Sequence, residues 1–371
     1  MAQAAAQEIF HGPGQPGDIK TRSITTLGPA SSDRDTLMKM LEAGMDIARL
    51  NCSHLKHEDG DKLVANLRTA ARATGRKASV LLDLRGPKVR LGSFPGGERS
   101  LRTGELVTLG DQGISFEPPH LREAMQPGKK ILLKDGAVAL KVLRQSEQGV
   151  ECEVTAGGRL TDRCGLAVPG AQTRIDAFTE KDQRDLEWGL KAGVDMVAVS
   201  KVQRAEDMHA VRRFLNKGGQ DLPLCAKIED VLALKNLDEI IAASDVIMVA
   251  RGDLAVETPP HYVAVLQKLI VARCRELGKP VIVATEMMDS MIDNPSPKRA
   301  ELADVTGAVL DGANAYMTSA ETAVGKYPVD VVAWMNETAR AAEEAAALGG
   351  LSTPDRFSTA YWQKLVDKFS S

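Results

Sequence analysis

Leu224-Cys225-Ala226-Lys227-Ile228-Glu229-Asp230 is a short apolar run that breaks into charge, and Val249-Ala250-Arg251-Gly252-Asp253-Leu254 repeats the figure downstream. Both read as strand ends. At strand spacing Lys227 and Glu229, two residues apart, leave the same face. Gly252 lets backbone amides approach a ligand closely. Carboxylates from neighbouring strand ends, here Glu229 and Asp253, can hold one Mg²⁺ that keeps its other positions for water and substrate oxygens. A lysine beside them can neutralise a developing oxyanion or phosphate. Taken singly, each stretch suits a surface ion pair equally well, so the surrounding chain decides.

Outward from this pair the same rhythm recurs. Downstream, strand Asp245–Ala250 is followed by a helix over Pro260–Leu277, strand Pro280–Thr285 by a helix over Pro297–Leu310, and strand Asn314–Thr318 by a last helix over Val329–Ala347. A helix over Val231–Ala243 follows the Lys227 strand. Upstream, a helix over Glu180–Ala192 leads into strand Val194–Ser200, and a helix over Ala205–Leu215 leads into Pro223–Lys227. Near the start, strands at Thr21–Leu27, Met45–Leu50 and Ser79–Leu82 alternate with helices over Thr36–Ala43 and Glu58–Ala73. Ser31-Ser32-Asp33 can cap the first of these helices, and Gly44 ends it. Eight strand–helix units predict an α/β fold, the (β/α)8 TIM barrel. A doubly wound open sheet would be expected to carry a Gly-rich first turn, which this chain lacks.

Between the third and fourth units the texture changes. Short alternating runs such as Glu105–Leu109, Lys130–Lys134 and Val150–Val154, separated by Gly and Asp, predict a small β lid domain over residues 89–173. The expected organisation is therefore a loose tail over 1–18, barrel over 19–88 and 174–347, and a tail or short helix over 348–371. In that last stretch Tyr361, Leu365, Val366 and Phe369 fall at helical spacing.

Composition narrows the function. A net charge of −3 over 371 residues gives no basic field for nucleic acid. No apolar run reaches the length of a membrane span, and the first residues hold no secretory core, so a cytoplasmic protein is expected. Five cysteines (52, 152, 164, 225 and 274) form no CxxC pair and read as reduced thiols. In a barrel the active site lies at the carboxyl ends of the strands. Those ends carry Arg49, Asn51 and Ser53; Asp83; Ser200 and Lys201; Lys227 and Glu229; Arg251 and Asp253; Thr285; and Ser319 and Glu321. So many convergent charges suggest a small anion bound with a metal. Glu286 and Glu321 are weaker candidates, since each can cap or pair locally.

The longer strings resemble the pyruvate kinase family. They are Thr26-Leu-Gly-Pro-Ala-Ser31, Gly44 to His54, Asp83-Leu-Arg-Gly-Pro-Lys-Val-Arg90, Lys227-Ile-Glu229, Ile247 to Leu254, and Val305 to Pro328. The resemblance runs from about Arg22 to Ala345. It implies transfer of a phosphoryl group from phosphoenolpyruvate to ADP, giving pyruvate and ATP, with Mg²⁺ or Mn²⁺. It implies Glu229 and Asp253 on the metal, Lys227 at the transferring phosphoryl group, Arg49 on the phosphate, and Thr285 near the face where the enolate is protonated. The backbone of Gly252 and Asp253, with Thr285 and Ser200, would hold the substrate. Asn51, His54, Arg90 and Pro29 would belong to the nucleotide side. The lid would close over the site and exclude water.

Four departures from the family pattern carry their own expectations. The family's K⁺ site survives as Asn51, Ser53 and Asp83, but Leu84 replaces a Thr and Lys88 a Glu, which predicts activity without K⁺. Arg163-Cys164 stands where the family has two lysines, leaving the nucleotide open. Lys201 replaces a Phe after strand four and could favour a more acidic substrate or pair with Glu229 or Glu286, while Glu286 replaces a Gln. The chain also ends before the family's C-terminal regulatory domain, so effector regulation is not expected and the usual tetramer is in question. Two competing readings stay open: a paralogue acting on a related enol phosphate, and a metal-dependent lyase handling pyruvate as its enolate. A non-catalytic binder would have no need of Lys227, Glu229, Asp253 and Thr285 together.

Overall fold

The barrel closes as the repeat predicts. In the computed structural model, which describes residues 1–12, 19–134, 136–171, 174 and 176–347, eight parallel strands form one closed ring. They are Arg22–Thr26, Ile47–Asn51, Ser79–Asp83, Met196–Val199, Leu224–Ile228, Val246–Ala250, Val281–Ala284 and Ala315–Thr318. The first strand pairs the last, with Thr25 opposite Thr318, and so leaves no edge. Strand residues are buried on both faces, against helices outside and barrel filling inside, which explains the near-continuous apolar runs.

Local chemistry sets many helix ends. Asp33 caps the first barrel helix (Arg34–Glu42) by accepting from Thr36 N at 2.9 Å. Thr179 and Asp182 form a capping box on Glu180–Ala192, and Gly193 ends that helix at φ +77. The helix expected over Val231–Ala243 is instead two, Val231–Lys235 and Leu237–Ala243. Asn236 breaks it, turning its side-chain amide to Gln203 O at 2.8 Å. A short helix that the periodicity missed, Arg251–Glu257, follows the sixth strand directly.

Residues 1–12 are not the loose tail the composition suggests. Ala2–His11 is a helix whose Ala6 and Phe10 are buried with Ile24, Ile47, Met248 and Met317 of the barrel interior. Arg22 reaches Gly12 O at 2.7 Å, and Ala2 N donates to Asp221 at 2.9 Å, so the helix closes the mouth where the strands begin. The Ala2, Ala6, Phe10 stripe has helical spacing but offers only one large apolar group. Burying that ring, worth roughly 1.5–3 kcal/mol, requires a partner that sequence periodicity does not reveal. The C-terminal helix suggested over Phe357–Phe369 lies outside the described residues.

The insertion between the third and fourth barrel strands is antiparallel. Its main sheet is Leu166–Ala167, Lys130–Leu133, Val138–Ser146, Gly149–Ala156 and Leu106–Leu109, in that spatial order. It packs a core of its own, with Leu109, Ile131, Leu140, Val150 and Leu160 fully buried.

Candidate active site

A cavity of about 360 Å³ lies between the carboxyl ends of the strands and the inner surface of the insertion. Arg49, Asp83, Ser200, Lys201, Lys227, Glu229 and Asp253 line its barrel side, and Leu121, Leu132, Leu166 and Val168 line its lid side. Charge from one layer thus meets an apolar surface from the other, the setting in which electrostatic interactions strengthen.

The floor is a connected polar network. Thr26 Oγ1 donates to Thr318 O at 2.6 Å and accepts from Arg49 at 2.8 Å. Arg49 forks onto Asp83 with Nε and Nη2, each at 2.7 Å. Lys227 Nζ then stands 3.3 Å from Asp83 Oδ1, 3.0 Å from Glu229 Oε1 and 2.8 Å from Ser200 Oγ. Ser200 Oγ in turn donates a hydrogen bond to Leu84 O at 2.8 Å. Burial alone would lower the Lys227 pKa, but the charges of Asp83 and Glu229 outweigh it, and the ammonium is held protonated. Burial likewise favours the neutral form of Asp83, and Lys227 with Arg49 overturns it, so Asp83 stays ionised.

Glu229 is pushed the other way, upward, by burial and by the charge of Asp253. Its Oε1, like Asp83 Oδ1, is buried with no well-formed hydrogen bond and meets only the ion pair with Lys227. Asp253, in the first turn of the missed helix, exposes 49% of its side chain toward the cavity. These two carboxylates fit a small hard dication that takes one or two protein oxygens and completes its shell with water and substrate. Among the described residues no group of three or more His, Cys, Asp or Glu could hold a metal unaided.

Lys201, expected to pair with Glu229 or Glu286, pairs with Glu229 at 3.4 Å and with Asp253 at 3.2 Å. Glu286 is exposed. Glu257 was missed. It lies four residues after Asp253 on the short helix, hence on the same face, and also lines the cavity. Burial and the neighbouring acids push its carboxyl up to about 7. Recognising that helix would have been the signal.

The remaining sequence candidates divide. Asn51, Ser53, His54, Leu84, Lys88 and Arg90 all line the cavity. Lys88 is drawn down to about 8, by burial first and then by Arg90, Arg85 and Lys181. Gly252, Thr285 and Pro29 lie outside the lining; Pro29 is exposed in a turn of 3-10 helix after the first strand. Gly252 N donates to Thr285 Oγ1 at 2.8 Å, so that amide is already engaged. Arg163 turns to Glu117 at 3.7 Å, and Cys164 is partly buried in the lid; neither lines the cavity.

Two rim candidates are structural. Glu321 is buried and accepts from Ser319 N at 2.6 Å and Met288 N at 3.3 Å. Arg251 turns away from the cavity. Its guanidinium donates to the carbonyls of Ala284, Thr285 and Glu286, and pairs with Asp304 at 2.6 Å. It thereby braces Thr285 and Glu286, whose φ angles of +72 and +54 are costly for residues with a Cβ. Among the described residues no helix is long and apolar enough to cross a membrane.

The sequence is similar to those of known proteins along most of its length. A family model for "Pyruvate kinase, barrel domain" matches residues 19–332. The chain is 42% identical over 336 residues to a pyruvate kinase of Geobacillus stearothermophilus, covering 88% of this chain and 57% of that protein. It is 42% identical to a pyruvate kinase of Corynebacterium glutamicum, covering 88% of this chain and 70% of that one. With a Methylorubrum extorquens pyruvate kinase it shares 44% over 334 residues, 88% and 69% of the two lengths. The chain therefore spans little more than half of the first relative and about two thirds of the others. A closed eight-stranded barrel with an antiparallel insertion after its third strand, matched along most of its length, makes this chain a member of the pyruvate kinase family.

Proposed function

We propose that this chain transfers the phosphoryl group of phosphoenolpyruvate to ADP. The bond from phosphorus to the enol oxygen breaks, a bond to a terminal ADP oxygen forms, and the released enolate takes a proton on carbon to give pyruvate. The observation that carries the reading is the buried Lys227 ammonium, fixed between Asp83 and Glu229 at the cavity floor. Phosphoryl transfer asks the protein for positioning and charge neutralisation rather than a nucleophile. A cation pre-aimed in a site of low dielectric supplies both without reorganising.

Arg49, fixed by Thr26 and Asp83, brings a second cation against the transferred phosphate. Glu229 and Asp253 would hold the divalent metal, which would supply charge neutralisation to the anionic substrate. Thr285, held against Gly252, serves the face where the enolate is protonated. Asn51, His54 and Arg90 serve the nucleotide. The lid's apolar side chains keep water from the phosphoryl group in transit.

Activity without K⁺ belongs to the same reading. Lys88 lines the cavity with Asn51, Ser53 and Asp83, and buried Leu84 brings no side-chain oxygen there. A tethered ammonium takes the electrostatic part of the monovalent cation.

The test is ³¹P NMR of phosphoenolpyruvate with ADP and Mg²⁺, with and without K⁺. ATP resonances in both samples are expected. Inorganic phosphate appearing with no ATP would replace this reading with hydrolysis of the enol phosphate.

A further inference from the structure

We propose that Lys201 is an internal cation occupying the divalent-metal position until metal and anionic substrate arrive together. The proposal rests on the metal-site reading of Glu229 and Asp253 given above.

The Lys201 ammonium bridges two carboxylates from different strand ends, 3.4 Å from Glu229 Oε2 and 3.2 Å from Asp253 Oδ1. A divalent cation held by the same two carboxylates would need the place between them. The ammonium occupies that same gap, so the two cannot be there together. The backbone holds the lysine in place. Lys201 N donates to Glu229 Oε2 at 3.0 Å, and the residue takes a left-handed φ of +58. That conformation is uncommon for a residue with a Cβ, and here it starts the side chain back over the strand ends.

The charge balance points the same way. Glu229 already faces Lys227 through Oε1, so both of its oxygens meet ammonium groups. An incoming dication must displace Lys201 and accept a like charge close by. Free metal is then held weakly. An anion entering with the metal gives the displaced ammonium a new partner. The side chain is 28% exposed, which leaves it room to swing toward the cavity. Lys201 would thus couple metal loading to substrate loading and favour the more highly charged enol phosphate.

The test is manganous-ion binding to the intact protein, followed by electron paramagnetic resonance, with and without phosphoenolpyruvate. Lys201→Met should bind free Mn²⁺ about tenfold more tightly than the unaltered protein, the gain expected if the ammonium fills the position nine times in ten. With phosphoenolpyruvate present the difference should shrink to about twofold or reverse. Lys201→Gln, also neutral and able to keep a contact to Asp253, should behave alike and covers the case in which the Met variant fails to fold. Glu229→Gln serves as the reference and should lose Mn²⁺ binding. Equal free-Mn²⁺ affinity in the Lys201 variants and the unaltered protein, with binding lost in Glu229→Gln, overturns the role of Lys201 alone. Unchanged binding in Glu229→Gln overturns the metal-site reading and this proposal with it.

Discussion

Arg251→Met is the most informative single change away from the cavity. Arg251 is 7% exposed, and its guanidinium donates to the carbonyls of Ala284, Thr285 and Glu286, to Gln267 and to Asp304. Methionine fills the space but supplies no donor. Asp304, 35% exposed, recovers part of its solvation, whereas the carbonyls lose their donor in a largely closed pocket. Removing one partner of a buried pair costs about 3–5 kcal/mol. Thr285 and Glu286 then relax toward ordinary backbone angles and return some strain, on the order of 1 kcal/mol or more. A net loss of about 3 kcal/mol follows. With an unfolding entropy of about 2.1 cal/mol/K per residue, the 371-residue chain should lose about 4 °C in Tm. The functional cost should be larger. Thr285 shifts off Gly252, and a displacement of about 1 Å near the chemistry can cost about a hundredfold in kcat. Scanning calorimetry, ATP production and amide exchange at residues 285–287 would be measured together. A folded variant with unchanged kcat and undiminished protection there would refute the bracing role.

Lys227→Met should lower turnover by about 10²–10³, as expected for one preorganised cation, while Mn²⁺ binding persists because Glu229 and Asp253 remain; surviving turnover would remove Lys227 from the mechanism. Lys88 should impose a pH dependence in K⁺-free buffer. Its folded pKa of about 8 means the cation is present below that pH and lost above it, so turnover should fall about tenfold from pH 7 to 9. Lys88→Arg, always charged, should flatten this limb; an identical limb in both proteins would assign it to another group. Phe10→Ala should free the N-terminal helix rather than melt the barrel. Amides of residues 5–12 should lose hydrogen-exchange protection while the barrel Tm moves by less than about 2 °C, and unchanged protection would show that Phe10 does not hold the helix.

Sequence alone determined the barrel and the place of its insertion, and it marked the strand ends that carry charge. Those features are local and repeated: an apolar run, a charged break, an amphipathic helix with its cap. Glu180–Ala192 is legible to the residue because Thr179, Asp182 and Gly193 mark both ends chemically. Arg251–Glu257 is not, because seven residues hold too little periodicity and the run adjoins a strand without a turn between. The N-terminal helix was hidden because a single phenylalanine gains its burial from a barrel mouth assembled by distant strands.

Only the tertiary structure decided which rim charges face the cavity. Arg251 and Asp253 are two residues apart, yet one turns outward to brace the Thr285 backbone and the other inward. Lys201 meets Glu229 and Asp253 across separations of 28 and 52 residues. Sequence shows that such charges exist and which strand ends they follow. Their pairings and protonation depend on distances of a few ångströms, and those distances come into being only when the eight strands close into a ring.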